Sequence, residues 1–337
     1  MYWISTAPAN LMLLGEHSVV YGHPALACAV DQTIQITWSK TTNQSICISS
    51  TLANFEFTLK ELKQFASNPE QHAQLDHPQL RFVMHALKAF ALNLEHGLHI
   101  EITSEFLSTI GLGSSAAVLA ASLHGLNQIT EQNLSNLELF NTGHEIILTI
   151  QGRGSGTDLA ASLTGGIVFF ELAKDGRPAH IQALVDTFLE DLPLTLIYCG
   201  YKTTTAEVLK RVAEQWQTEP EQLIRLYNLM GETTKQAYQS LLKEKPVAFF
   251  ALCEVYQELM DALGVNDATL QTIIEQMRAC KSIRVSKISG SGLGDCVLGF
   301  GALDNCTGSS ENSLKEFTQI AIKITAHGAA TQFFEAH

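Results

Sequence analysis

The chain is short of charge, and of positive charge above all. Asp, Glu, Lys and Arg make up only 16% of its 337 residues, and 21 Lys and Arg face 34 Asp and Glu, for a formal net charge of −13. Nucleic-acid binding leaves a basic footprint, which is absent here. An anionic small molecule is still admissible, because local N–H dipoles and one or two cations are enough to hold a phosphate. No stretch reaches about 18 uninterrupted apolar residues, and Met1-Tyr2-Trp3-Ile4-Ser5-Thr6 has no basic segment leading into an apolar one. Neither a membrane span nor secretion is therefore expected. The seven Cys, at 28, 47, 199, 253, 280, 296 and 306, form no CxxC pair and no regular framework. Such an odd, scattered set reads as reduced thiols in a cytoplasmic protein. The 12 His show no HxxxH or HExxH spacing, which argues against a His-ligated metal. There is no Walker A spacing, no internal repeat, no heptad array and no low-complexity tract.

What the chain has in quantity is apolar sequence, 46% of the total. At this length it suits two domains with sizeable cores. The polar excursion at Asp175-Gly176-Arg177-Pro178 marks the expected division into residues 1–180 and 181–337. Before it, Tyr2–Thr6 and Leu11–Leu14 read as two short strands interrupted at Ala7-Pro8-Ala9-Asn10, since Pro8 cannot donate to a ladder. The alternation Val30, Ile34, Ile36, Trp38 predicts a half-buried strand, and apolar residues at helical spacing predict a helix over 79–94. Beyond the excursion the patterns over 205–217, 220–243, 246–263 and 268–280 are helical. Strands are predicted over 283–288, 297–300 and 330–335, and a last helix over 310–326.

Four glycine-bearing stretches punctuate these elements. Ile110-Gly111-Leu112-Gly113-Ser114-Ser115-Ala116 opens directly into an apolar helix. Glycines there allow a tight turn and close approach of a ligand to the backbone, and the first N–H groups of the helix face outward with the positive end of its dipole. That is an anion site, or, equally on the loop alone, a plain Ser-capped helix. Gly15-Glu16-His17-Ser18-Val19-Val20-Tyr21-Gly22-His23 packs an acid, two imidazoles and a phenol between glycines, more polar chemistry than a connecting turn needs. Gly152-Arg153-Gly154-Ser155-Gly156-Thr157-Asp158 delivers one carboxylate to the start of a small-residue helix, as an N-cap or as a group aimed into a cleft. Ser289-Gly290-Ser291-Gly292-Leu293-Gly294-Asp295-Cys296 lies between strands and lacks GxGxxG spacing.

Taken together and in this order, the four stretches resemble the GHMP family of small-molecule kinases over nearly the whole chain. GLGSSAA is similar to the family's ATP-phosphate loop and SGSGLGDC to its C-terminal glycine motif, while GEHSVVYGHPALA resembles the first motif of the mevalonate kinase branch. The resemblance implies an α+β, two-domain fold, with a ribosomal-protein-S5-like N-terminal domain and a ferredoxin-like C-terminal one. It implies transfer of the ATP γ-phosphate to the 5-hydroxyl of mevalonate, with Mg²⁺. By similarity Gly111, Leu112, Gly113, Ser114, Ser115 and Ala116 hold the phosphates, Ser115 helps ligate Mg²⁺, and Asp158 is the base or orienting carboxylate. Glu16, His17, Tyr21, Lys202, Thr205, Gly290 and Gly292 fall around the substrate. Two positions depart from the pattern. Asn10 stands where the family usually has a Lys, with Lys202 and Arg153 as candidate replacements. Ile147 stands where it usually has a Mg²⁺-ligating Glu, and Glu145, the nearest acid, points another way on the helix. Gln151–Asp158 and Gly294-Asp295-Cys296 look more like phosphomevalonate kinases, which keeps a phosphorylated acceptor as the alternative, and a GHMP-fold binding protein without catalysis as a third. The mostly helical C-terminal half could supply a homodimer face.

Overall fold

The computed structural model describes residues 1–107, 110–174, 177–303 and 314–335. Its strands are β1 (Tyr2–Leu14), β2 (Ala25–Lys40), β3 (Ser45–Ser50), β4 (Asn54–Thr58), β5 (Leu98–Ser104), β6 (Ile167–Glu171), β7 (His180–Leu184), β8 (Leu194–Tyr198), β9 (Ser286–Ser289), β10 (Cys296–Phe300), β11 (Thr318–Ile322) and β12 (Ala330–Phe334). The helices are α1 (Leu59–Ser67), α2 (Arg81–Phe90), α3 (Ser114–Ile129), α4 (Asn136–Gln151), α5 (Thr157–Thr164), α6 (Thr205–Gln215), α7 (Pro220–Leu242), α8 (Pro246–Leu263) and α9 (Ala268–Arg278). Two sheets result. An 8-stranded one runs β12-β1-β2-β5-β3-β4 with β6 and β7 branching from β2, and a 4-stranded antiparallel one runs β11-β8-β10-β9. The chain passes to the second sheet after β7, and β12 returns to the first. Asp175 and Gly176, where the division was expected, lie outside the described residues.

Three expectations are corrected. The two N-terminal strands are one, β1, which runs through Pro8. β12 pairs only with Tyr2–Thr6, so the missing donor of Pro8 falls beyond that ladder, and the register with β2 shifts between Pro8 and Ala9, where a bulge absorbs the interruption. Of the helix expected over 310–326, only Leu314 is helical among the described residues. Thr318–Ile322 is β11, paired with β8, where Ile320 and Ile322 share one face of the strand on either side of Ala321; residues 310–313 lie outside the described ones. Lastly, Cys280 is disulfide-bonded, against the expectation of seven reduced thiols, while Cys28, Cys47, Cys199, Cys253 and Cys296 are free. Bridging depends on Cα separation, which scattered spacing in sequence does not reveal. Two elements went unread: α1, opened by a Thr58/Glu61 capping box, and the short β7.

Helix α3 is the pivot of the first layer. It lies on β1 and β2 and against α2 and α5, and its buried positions are mostly small, with Ala116, Ala117, Ala120, Ala121 and Gly125 among them. Small residues bring its axis close to the sheet. A Cβ at Gly125 would lie 2.7 Å from Trp38 Nε1, whose N–H donates to Ser5 Oγ at 2.8 Å. The close fit fixes where the N-terminus of α3 emerges, and therefore where the glycine loop sits.

Candidate active site

The glycine loop is gripped from two sides. Gly111 (φ 67°) and Gly113 (φ 62°) are both left-handed, and Gly113 caps α3 with no side-chain cap. On one side Asn10, fully buried in β1, donates from Nδ2 to Ser162 Oγ (2.9 Å) and Gly113 O (3.3 Å), and its backbone N–H reaches Leu112 O. A Cβ at Gly113 would stand 2.1 Å from Asn10 Oδ1, so only glycine fits. On the other side a Cβ at Gly111 would stand 2.3 Å from Asp295 Oδ1, and Cys296 Sγ donates to Ile110 O at 3.4 Å. Ser114 and Ser115 follow as the first residues of α3, with Ser115 exposed and Ala116 and Ala117 donating back to Gly113 O. The positive end of the helix opens at this loop.

Asp158 enters from α5. The cap of that helix is Gly156, and Ser155 Oγ takes the Thr157 N–H at 3.2 Å, so the Asp158 carboxylate is not used for capping. Among the described residues no donor reaches it. It is open to solvent on one face and crowded by protein on the others, the setting of a group on the wall of a cleft. That crowding pushes its carboxyl up to about 6; Lys202 opposes the shift, and Glu16 and Asp295 add to it.

A third group comes from the turn after β1. Glu16 is buried and receives the ammonium of Lys287, itself 0% exposed, at 2.5 Å. Lys287 also donates to Ile288 O, and Tyr256 OH donates to Glu16 O at 2.8 Å. His17, held at φ 62°, donates from Nε2 to Ser291 O at 2.8 Å. Burial lowers its pKa to about 4, so the ring is neutral, and since a carbonyl can only accept, the proton is on Nε2. Two buried acceptors remain without donors, His17 Nδ1 and Glu16 Oε2.

The glycine turn of the second sheet joins these groups. Gly290 and Gly292 are left-handed, and a Cβ at Gly292 would meet Val265 O at 2.4 Å. Thr203 Oγ1 donates to Leu293 O at 2.6 Å, and Lys202 Nζ lies 3.0 Å from Asp295 Oδ2. Thr204 caps α6, which leaves Thr205 exposed in its first turn, and Arg153 donates to Ala206 O. Tyr21 stands apart, half exposed and stacked on Tyr227 with ring centroids 4.2 Å apart. Glu145 is exposed on α4 and its side chain makes no hydrogen bond or ion pair among the described residues, while Ile147 packs where a Cβ on Gly154 would be, 2.8 Å away. Among the described residues no group of three or more His, Cys, Asp or Glu could hold a metal ion. Cavities of about 150 Å³, beside Lys40 and His96, and about 580 Å³, beside Lys60 and Lys63, lie elsewhere.

Sequence reading missed Lys287 and Tyr256 and saw Asp295 only as part of a motif. A signal for Lys287 existed: in the strand expected over 283–288 it alternates onto the face of Ile283 and Val285, just before a glycine turn.

The Asp158 carboxylate thus lies within electrostatic reach of Lys202, Glu16 and Asp295, the last of which sits against Gly111 of the glycine loop at the start of α3. The family model for the GHMP kinases N-terminal domain matches residues 81–166. The mevalonate kinase of Pyrococcus furiosus is 30% identical over 306 residues, covering 87% of both chains. A crystal structure of a mevalonate kinase superposes with a TM-score of 0.78 at 22% identity, over 96% of this chain and 99% of that one. Streptococcus pneumoniae phosphomevalonate kinase, in complex with phosphomevalonate and AMPPNP, gives 0.71 at 16%, over 94% and 99%. The chain belongs to the GHMP kinase family, whose members are ATP-dependent kinases of small molecules.

Proposed function

We propose that this protein transfers the γ-phosphoryl group of ATP to the 5-hydroxyl of mevalonate. The observation that carries the reading is the setting of Asp158. Among the described residues it is a carboxylate with no hydrogen-bond or ion-pair partner, within electrostatic reach of Glu16 in the acceptor turn and of Asp295, which touches the phosphate loop. The backbone N–H groups at 111–116 hold the phosphates. As the acceptor oxygen bonds to the γ-phosphorus, the bond to the bridging oxygen breaks, ADP leaves with the electron pair, and the hydroxyl proton passes to Asp158. Phosphoryl transfer asks mainly for positioning and charge neutralisation, which this arrangement supplies. Glu16 Oε2 and His17 Nδ1, both bare acceptors, orient the substrate through its hydroxyl groups.

Mg²⁺ fits the residues present in a limited way. Ser115, exposed at the start of α3, has the protein oxygen that would suit it, and phosphate oxygens and water would complete its shell, as is usual for this ion. When bound it neutralises charge on the β- and γ-phosphate oxygens. Ile147 offers no ligand.

Mevalonate is favoured over its 5-phosphate by the acceptor wall. Glu16 is balanced by Lys287, His17 is neutral, Lys202 is paired with Asp295 and Arg153 is engaged with Ala206 O, so among the described residues the acceptor wall holds no surplus positive charge for a second phosphate. A panel of hydroxy-acid acceptors at fixed ATP and Mg²⁺, followed by ADP release, tests this. Preference for mevalonate is expected, and preference for 5-phosphomevalonate would transfer the protein to the sister activity.

A further inference from the structure

The glycine loop supplies dipoles but no side-chain cation, and the cations nearby are mostly engaged. Lys287 is enclosed with Glu16. Arg153 donates to Ala206 O. The Asn10 side chain is bonded to Ser162 and Gly113, neither of them a cation. Lys202 differs. It stands on the connection between β8 and α6, its side chain is 42% exposed, and its ammonium rests 3.0 Å from Asp295 Oδ2. Of the charged groups that face Asp158, namely Lys202, Glu16 and Asp295, it is the positive one.

Asp295 is built in more firmly than an ordinary salt-bridge partner. It takes a left-handed backbone (φ 71°), donates its N–H to Tyr201 O (2.8 Å) and accepts from Cys199 N–H (3.0 Å), so it is locked to the segment that carries Lys202. Its side chain meanwhile presses on Gly111, and its second oxygen, Oδ1, is buried with no donor. A lysine half in solvent contributes little to stability through such a pair. What the arrangement does achieve is location: it parks a cation at the junction of the phosphate loop and the base, with a second carboxylate oxygen along which the ammonium can shift.

We propose that Lys202 is the cation that neutralises the transferring phosphoryl group, and that Asp295 is the positioning residue that holds it between Gly111 and Asp158. The inference rests on the kinase reading above, so phosphorylation of mevalonate by the unaltered protein is measured first; if no acceptor is phosphorylated, that reading fails. The pH dependence of kcat is then recorded for Lys202→Met, Lys202→Arg and Asp295→Asn. Loss of one preorganised charge at a transition state typically costs about 10²–10³-fold in kcat, and a loss of that order is expected for Lys202→Met, partly restored in Lys202→Arg. The acid limb of the profile moves in opposite directions. Removing Lys202 takes a positive charge from Asp158 and shifts the limb to higher pH. Asp295→Asn removes a negative one and shifts it to lower pH, with a smaller fall in kcat. A merely structural pair would lower stability and leave the plateau kcat in place. An unchanged kcat in Lys202→Met, or an unmoved limb in both variants while Asp158→Asn is inactive, overturns the inference and leaves the kinase reading intact.

Discussion

The two walls of the cleft are made of different materials. The phosphate wall, residues 110–116, is backbone: two left-handed glycines, a helix start and the N–H groups they expose. The acceptor wall is buried side chain: Glu16 against Lys287, His17 against Ser291, and Tyr256 over both the Glu16 carbonyl and the Lys287 ammonium. A backbone site depends on conformations that short sequence permits or forbids. A side-chain site depends on partners that only folding brings together, here 271 residues apart. Damage to the first should act on ATP, and damage to the second on the acceptor and on stability.

The variant that bears on both walls at once is Asp158→Asn, which should lower kcat by at least about 10²-fold, the usual contribution of a positioned base. Because the carboxylate has no protein partner, stability should not suffer. The sign can be stated further. A carboxyl raised from 3.8 to about 6 by folding favours the folded state while protonated, and this contribution is lost as pH rises through about 6. Asp158→Asn should therefore gain in melting temperature relative to the parent at pH 8 compared with pH 4, and a loss at pH 8 would contradict the account of that carboxylate.

Next in size is Lys287→Met. Removing one partner of a buried ion pair typically costs about 3–5 kcal/mol, readable by denaturant unfolding, and the Glu16→Gln/Lys287→Met double variant should recover much of that stability without recovering the acceptor KM. Equal acceptor KM in parent and double variant would show that the acceptor wall is structural only. Gly113→Ala comes third. A left-handed alanine costs about 1–2 kcal/mol and its Cβ meets Asn10, so the ATP KM should rise while the acceptor KM stays put. An acceptor-side effect would blur the division between the walls. The smallest effect belongs to Glu145→Gln, exposed on α4, which should leave kcat and the Mg²⁺ dependence unchanged in a metal titration.

The same contrast explains what could be read in advance. The glycine loop and the start of α3 were legible because glycines, serines and a small-residue helix are local signals, whereas for Asp158 the sequence left a capping role and a free carboxylate both open. Asn10 was noticed as a departure, but its work, bridging Gly113 to Ser162, depends on elements that meet only in the fold. Lys287 and the Asp295–Lys202 pair were hidden for that reason. The continuity of β1 through Pro8 depends on where β12 stops, and β11 depends on β8 being there to pair with, neither of which appears in a local window.

The central claim is that these two walls bring ATP and the mevalonate hydroxyl to either side of Asp158. Phosphorus NMR of a reaction containing ATP, Mg²⁺ and mevalonate, run with the unaltered protein and with Asp158→Asn, tests it directly. The account predicts ADP and a new phosphomonoester on the 5-hydroxyl with the former, and neither on the same timescale with the latter. No phosphomonoester with the unaltered protein, or equal rates with both, would contradict it.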